Sequence, residues 1–413
     1  MNMEAKGQAN GGGAHPPRPL EGLRILELGQ LLAGPFASVI LAWFGAEVIK
    51  VEPPGVGDPL RRWRKLYKGT ALWWYILGRN KKCVTLNLRS PRGQEIARQL
   101  VAKVDVVLEN FKPGTLEKWG LGYEELKKIN PGLIMTRVSG WGQNGPNALM
   151  PGYANVAEGV GGLRYVTGYP DRPPVRPNLS LGDSLAGLHA ALGVLLAVYH
   201  RDVKGTGEGQ MVDVAIYESV FNMMESLVPE YDKLGHVRER RGAKLSGIVP
   251  TSTYLCSDGK YIIIGGNGDT IFKRLMTAAG REDMANDPRL EHNDGRVEHE
   301  EAIDAAIEAW TGQHTFEEVF QMLEAAGVPT GPIYSIAEIL EDPHYRARGM
   351  FEEVEIGEGE TVKLPTLVPK LSRTPGGTEW IGPPLGAHNE EVYSSLLGMR
   401  PEEIARLHEE GII

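Results

Sequence analysis

Short apolar runs alternate with helix-length segments along the first half of the chain, and this alternation restricts the fold more than any other feature. Leu23–Leu28 (LRILEL) reads as a buried strand. A turn follows at Gly34-Pro35, an apolar helix runs through Phe44, and Glu47–Val51 (EVIKV) reads as a second strand. Val84–Leu88 reads as the next strand, and Ser90-Pro91 supplies an N-cap and first-turn proline for a helix to about Lys103. Val104–Leu108 (VDVVL) and Leu133–Val138 (LIMTRV) continue the series. Strands that alternate with helices predict an α/β protein with a parallel sheet, and ligand sites at the carboxyl ends of its strands.

The segment NLSLGDSLAGLHAALG, Asn178–Gly193, carries a lone Asp183 where an apolar helix begins and runs to about Arg201. Leucine and alanine cover most of its faces, which predicts a buried, central helix. After about Met224 the pattern changes. Thr253–Ile264 reads as a hairpin turning at Asp258-Gly259, and amphipathic helices follow near Glu300–Trp310 and Phe316–Ala326. An acidic amphipathic helix, Pro401–His408, lies near the end. A chain of 413 residues suits two domains. The expected division is a Gly/Pro-rich leader over 1–19, a large domain over 20–224, a small α+β domain over 225–330 and a closing segment over 331–413.

Charge and cysteine content narrow the function. With 44 Lys and Arg against 53 Asp and Glu, the net charge of −9 argues against nucleic acid or an anionic membrane as the main partner. A polyanionic ligand would need a local basic patch. The two cysteines, Cys83 and Cys256, form no CxxC, which fits a reducing cytoplasm. No apolar run in the sequence reaches the roughly 20 residues of a membrane span.

Few residue patterns carry chemistry by themselves. Gly205–Gln210 (GTGEGQ) and Gly265–Asp269 (GGNGD) fit neither a P-loop nor a dinucleotide fingerprint and read as turns. The ten histidines show no HxxxH or HExxH, so no metal site is expected, and His189 reads as a core residue of the apolar helix. Basic residues cluster at Arg61, Arg62, Arg64 and Lys65, at Arg79, Lys81 and Lys82, and at Lys112 and Lys118. Their placement near the ends of consecutive strands suits a phosphate-bearing ligand. Arg164, Arg172 and Arg176 precede Asp183; spacing alone makes them ordinary loop charges, and their alternative role is to grip a substrate carboxylate. Asp183 has two readings as well. Aspartate is a favoured N-cap, contributing about 1 kcal/mol. A helix N-terminus also favours a carboxylate anion and can offer N–H groups to an oxyanion, which suits a nucleophile.

The segments LEGLRILELGQLLAGPFASVILAWFGAEVIKVEPPGVGDPLR, NKKCVTLNL, DVVLENFKPGTLEKWGL, NPGLIMTRVSGWGQNGP and LGDSLAGLHAALGVLLAVYHR resemble the class III CoA-transferases. That family includes formyl-CoA transferase and crotonobetainyl-CoA:carnitine CoA-transferase. PPLGAHNEEVYSSLLG and PEEIARLHEEGII resemble its C-terminus. The resemblance implies a Rossmann-like large domain built from both chain ends, a small domain, and an interlocked homodimer; whether a related second subunit joins the assembly is left open by the sequence. It implies that Asp183 attacks an acyl-CoA to form an aspartyl anhydride and then an aspartyl-CoA thioester, with no metal or redox cofactor.

Residue by residue, Leu31, Leu32 and Ala33 match the loop lining the CoA channel. Asn80, Lys81, Lys82, Asn110, Phe111, Lys112 and Lys118 match CoA-contacting positions. Pro53 stands where the family carries a phosphate-binding arginine, and Leu32 where it often carries glutamine. Trp141 matches a tyrosine near the substrate, and Leu245–Val249 is the nearest counterpart of a glycine-rich lid.

Within the same superfamily, α-methylacyl-CoA racemase pairs the aspartate with a histidine. Tyr153 occupies that histidine's position, and a phenol, with a reference pKa of about 10, is a poor second base. A non-catalytic acyl-CoA-binding subunit is the remaining alternative. GGLRYVTGYPDRPPVRPNLSLGDS resembles members that use succinyl-CoA with malate, citramalate, itaconate or glutarate. For these, Arg164, Arg172 and Arg176 would bind the second carboxylate.

Overall fold

In the computed structural model, residues 17–413 are described. The leader expected over 1–19 therefore falls, for residues 1–16, outside the described residues. The chain divides into two compact units. The first holds residues up to Gly161, Ser180–Met223 and Gly349–Ile413. The second holds Gly162–Leu179 and Met224–Arg348.

Six parallel strands form the sheet of the first unit: β1 (Arg24–Glu27), β2 (Glu47–Glu52), β3 (Lys81–Thr85), β4 (Val106–Glu109), β5 (Ile134–Ser139) and β6 (Met211–Ala215). Their spatial order is β3-β2-β1-β4-β5-β6, that of Rossmann-type sheets, with the direction of winding reversing between β1 and β4. Neighbouring residues along a strand face opposite sides. Ile25, Val48 and Val106 therefore enter one core, against helices α1 (Ala33–Trp43) and α4 (Leu181–Val198). Leu26, Ile49 and Val107 enter the other, against α2 (Pro91–Val101), α3 (Tyr123–Ile129) and the closing helices. Ser90 caps α2 as its sequence predicts, its Oγ accepting the Gly93 N–H at 2.9 Å.

The second unit packs an antiparallel three-stranded sheet against helices. Its strands are β7 (Thr251–Leu255), β8 (Tyr261–Gly265) and β9 (Thr330–Pro332), with β8 in the middle. Tyr254, Ile262, Ile264, Phe272, Ile303, Ile307 and Leu323 make its core. The hairpin turn at Asp258-Gly259 follows the sequence pattern, with Gly259 at φ 81°.

Several expectations are corrected. The third strand runs over Lys81–Thr85, three residues earlier than its apolar pattern suggested, and β6 was not legible at all. Residues 162–179, assigned from sequence to the large domain, belong to the second unit, and the return to the first begins at Gly349 rather than 331. Asp183 is not the N-cap of α4. Ser180 is, and Asp183 is the third helical residue.

Nor is α4 buried all round. Its small residues Ala186, Gly187, Ala190, Ala191, Val194 and Ala197 face the core. Leu188, Leu192, Leu195, Leu196 and Tyr199 are 40–61% exposed along the other side. With its extension to Val203 this helix has the length and composition of a membrane span, contrary to the sequence-based expectation. Its small-residue face is nonetheless committed to the α/β core.

Candidate active site

At the switch point between β1 and β4, a cavity of about 280 Å³ opens beyond the carboxyl ends of the strands. Three parts of the first unit build it. The loop after β1 contributes Gln30, Leu31, Leu32 and Ala33, and the loop after β4 contributes Asn110, Phe111 and Lys112. The third part holds Gly140, Gly152 and Tyr153 together with Asp183 in the first turn of α4. Trp63 also lines it. Asp183 is half-buried there, and its helix N-terminus favours the carboxylate anion.

The loop after β1 is held with unusual completeness. Asn110 Oδ1 accepts the Gln30 N–H at 2.8 Å, and its Nδ2 donates to the Gln30 carbonyl at 2.8 Å. Lys50 Nζ donates to the Gly29 carbonyl at 3.0 Å. The Asp58 carboxylate accepts the Leu31 N–H at 3.1 and 3.2 Å. Leu31 adopts φ 64°, in the left-handed region that costs a non-glycine residue about 1–2 kcal/mol.

Behind the loop lies a buried charge cluster. Lys50 pairs with Glu27 and Asp58 at 2.8 Å each, Lys81 pairs with Glu27 at 2.8 Å, and Arg61 forks onto Glu52 at 2.7 Å through two nitrogens. Three carboxylates thus face three cations, as burial away from water demands. Burial by itself would raise the Glu27 carboxyl, but the Lys50 and Lys81 ammoniums overcome it and hold its pKa at about 2. Burial likewise lowers Lys50, yet Asp58 and Glu27 raise it well above the usual lysine range.

A second cavity, about 470 Å³, adjoins the first through shared walls at Gln30 and Phe111. Pro53, Pro54 and Val56 after β2, Leu86–Arg89 after β3, and Trp119 line the rest of it. Phe111 meets Trp119 edge to face, with ring centroids 5.5 Å apart. Arg89, exposed, is the cation among its lining residues, and the carboxylate there, Glu52, is neutralised by Arg61.

Leu31, Leu32, Ala33, Asn110, Phe111, Lys112, Tyr153 and Asp183 thus line one cavity. Asn80, Lys81 and Lys82 do not. Asn80 precedes β3 and Lys81 and Lys82 begin it, at the amino end of the sheet, and their polar groups are engaged by other parts of the protein. Asn80 Nδ2 donates to the Gly377 carbonyl and its Oδ1 accepts the Glu379 N–H, while Lys82 pairs with Glu47 and Glu391. With the strand ending at Thr85, it is Leu86–Arg89 that reach a cavity. Sequence reasoning missed them because an apolar pattern locates a strand but not its last residue.

Lys118 is exposed one residue before Trp119. Trp141 packs beside the Asp183 cavity, its Nε1 donating to the Pro151 carbonyl at 3.2 Å and its ring 5.7 Å from Tyr217. Arg164, Arg172 and Arg176 all lie in the second unit. Arg172 sits 5.6 Å over the Tyr169 ring, and Arg176 donates to the Leu179 carbonyl at 3.2 Å. Among the described residues, no cluster of side chains fit to hold a metal ion is present.

A Rossmann-type sheet binds its ligand at the switch point, and here that point holds a helix-borne carboxylate able to act as a nucleophile. Residues 20–389 match the model of CoA-transferase family III, and the chain belongs to that family. It is 50% identical over 399 residues to succinyl-CoA–D-citramalate CoA-transferase of Chloroflexus aurantiacus, covering 96% of this chain and 99% of the relative. The β subunit of succinyl-CoA–L-malate CoA-transferase of the same organism is 41% identical, with 96% and 98% covered. Among solved structures, a CaiB/BaiF family protein from Brucella suis superposes with a TM-score of 0.80 at 34% identity, covering 92% of this chain and all of that one. The protein is a CoA-transferase.

Proposed function

We propose that the protein moves CoA from succinyl-CoA to a small dicarboxylic acid, with Asp183 as the covalent nucleophile. The observation that carries this reading is the position of Asp183: in the first turn of α4, on the cavity formed by the loops after β1 and β4. In the first half-reaction a carboxylate oxygen of Asp183 attacks the thioester carbonyl. The C–S bond breaks, giving an aspartyl–succinyl anhydride and CoA thiolate. The thiolate then attacks the aspartyl carbonyl, releasing succinate and leaving an aspartyl-CoA thioester. The acceptor carboxylate reverses the sequence. Each step exchanges one acyl bond for another, so no metal or redox group enters the scheme.

An acyl-CoA is placed across the two cavities, which adjoin at Gln30 and Phe111. The thioester would lie beside Asp183, and the nucleotide end beside Arg89 and Trp119. Citramalate and malate are the favoured acceptors because the relatives that act on them share so much of this chain. Itaconate and glutarate belong in the same panel. Arg164, Arg172 and Arg176 are the proposed partners of the distal carboxylate; an Arg→Ala change at one of them raises KM for the dicarboxylate and spares CoA binding. Unchanged kinetics in all three variants would remove that assignment. Tyr153 lines the cavity where a racemase would need its second base, which supports transfer over proton shuttling.

The exposed apolar stripe of α4 supports a homodimer, since soluble monomers rarely leave such a face to water. The family's interlocked arrangement is the form we propose for it. A related second subunit in place of an identical one is the variant suggested by the malate-specific relatives, named as α and β subunits. Two buried free thiols, Cys83 and Cys256, support a cytoplasmic setting.

The test is incubation with succinyl-CoA and a panel of acids, with new thioesters identified by mass spectrometry. Hydroxylamine should inactivate the enzyme only when donor is present, with the modification on Asp183. Full activity in Asp183→Ala would overturn the mechanism.

A further inference from the structure

We infer that Asp58 is a positioning residue for acyl-CoA binding, acting through the backbone of Leu31. The inference rests on the functional reading above but concerns a side chain outside the cavity lining. Two consecutive peptide groups, Gly29–Gln30 and Gln30–Leu31, are gripped at both ends. In the first, Lys50 holds the carbonyl and Asn110 the N–H; in the second, Asn110 holds the carbonyl and Asp58 the N–H. Three side chains from three different stretches, two to each peptide, therefore set the planes of the two peptides that flank Gln30, a residue lining both cavities.

Asp58 is the member that opposes strain. It grips the N–H of Leu31, which lines the Asp183 cavity with a left-handed backbone at φ 64° although it is not glycine. Its own backbone is fixed in turn. The Asp58 N–H donates to Glu52 at 2.8 Å, its carboxylate also accepts the Leu60 N–H at 2.9 Å, and Lys50 neutralises its charge at 2.8 Å. The buried cluster thus has a use beyond stability: it anchors a carboxylate that keeps Leu31 from relaxing to negative φ and turning its peptide. Gly29 is part of the same fit, because a Cβ there would stand 2.8 Å from Asn110 Oδ1.

The experiment measures CoA affinity by calorimetry, KM for succinyl-CoA, KM for the acid and melting temperature in full-length Asp58→Ala, Leu31→Val, Leu31→Gly and the Asp58→Ala/Leu31→Gly double variant. Alanine removes the acceptor of the Leu31 N–H, which an asparagine amide oxygen would retain. Asp58→Ala should weaken CoA binding and raise KM for succinyl-CoA about tenfold, with KM for the acid within twofold of the parent. Adding Leu31→Gly should recover about fivefold of the lost affinity, because glycine takes positive φ freely. A stability role alone would not give that rescue. Leu31→Val leaves the cluster intact, so it keeps the test open if Asp58→Ala folds poorly; it should weaken CoA binding severalfold.

CoA affinity within twofold of the parent in Asp58→Ala or Leu31→Val would overturn the inference. So would a loss in Asp58→Ala that Leu31→Gly fails to recover. Failure of the unsubstituted protein to bind CoA would instead bring down the functional reading, and this inference with it.

Discussion

Gly187 of α4 lies directly against the carbonyl of Ala33, the first residue of α1: a Cβ at Gly187 would stand 2.9 Å from that oxygen and 2.9 Å from the ring of Phe36. This contact sets the helix that carries Asp183 against the loop that walls its cavity. Gly187→Ala gains up to about 1 kcal/mol in helix propensity but overpacks the contact, which costs about 1–3 kcal/mol. The overpacking should win. We expect a lower denaturation midpoint and a reduced kcat, because Asp183 sits one helical turn away. A more stable variant with full activity would show that the two helices do not meet this closely.

The buried pair of Glu27 and Lys50 makes stability depend on acid. The carboxyl of Glu27 is held at about 2 in the folded protein, against 4.5 ordinarily. A depressed carboxyl contributes stability that is present above the unfolded value and is lost as pH falls through the folded one. The window is therefore pH 4.5 down to about 2, with a magnitude of about 3 kcal/mol. Urea midpoints measured across that range should fall steadily in the parent. In Glu27→Gln the dependence should be flatter and the starting stability lower by about 3–5 kcal/mol, since Lys50 and Lys81 lose a buried partner.

Arg89 is expected to hold the nucleotide end of CoA. Removing a charge-assisted contact costs about 1.5–3 kcal/mol. Arg89→Ala should therefore raise KM for succinyl-CoA by about tenfold or more, with KM for the acid unchanged and a weaker salt dependence. Equal KM values at low and high salt in parent and variant would place the phosphates elsewhere. Lys82→Ala, by contrast, should leave KM for succinyl-CoA within twofold.

The outer face of α4 should bury itself against a second chain. Leu192 and Leu196, 53% and 61% exposed, lie one turn apart on it. Leu192→Glu with Leu196→Glu should shift the sedimentation coefficient of the protein from dimer toward monomer. An unaltered assembly would mean that the stripe has another use.

Much of this was legible before any coordinates. The short apolar runs placed β1, β2, β4 and β5, and Ser90-Pro91 marked the start of α2. Local chemistry suffices there, because a strand buried on both faces must be apolar throughout. Strand β3 slipped by three residues because Lys81, fully buried, interrupts the apolar run. Only its pairing with Glu27 makes a lysine acceptable inside the sheet. Strand β6 is read as exposed, partly buried, exposed and then buried, which gives no continuous signal.

By itself, then, the sequence determined the α/β class, the loops that end at the cavity, and Asp183 as the residue to test. Tertiary structure decided which charges face that cavity and which are consumed in the core. Lys50, Lys81 and Arg61 look in sequence like any surface cation. Their roles follow from carboxylates at Glu27, Glu52 and Asp58 that reach them only when the strands assemble. The backbone of Leu31 is the same case. A left-handed leucine is disfavoured locally, and it exists because Asp58 and Asn110 grip its preceding peptide from opposite ends. Those contacts join residues 27 and 80 positions apart. Local propensity carries no information over such separations, and packing alone supplies it.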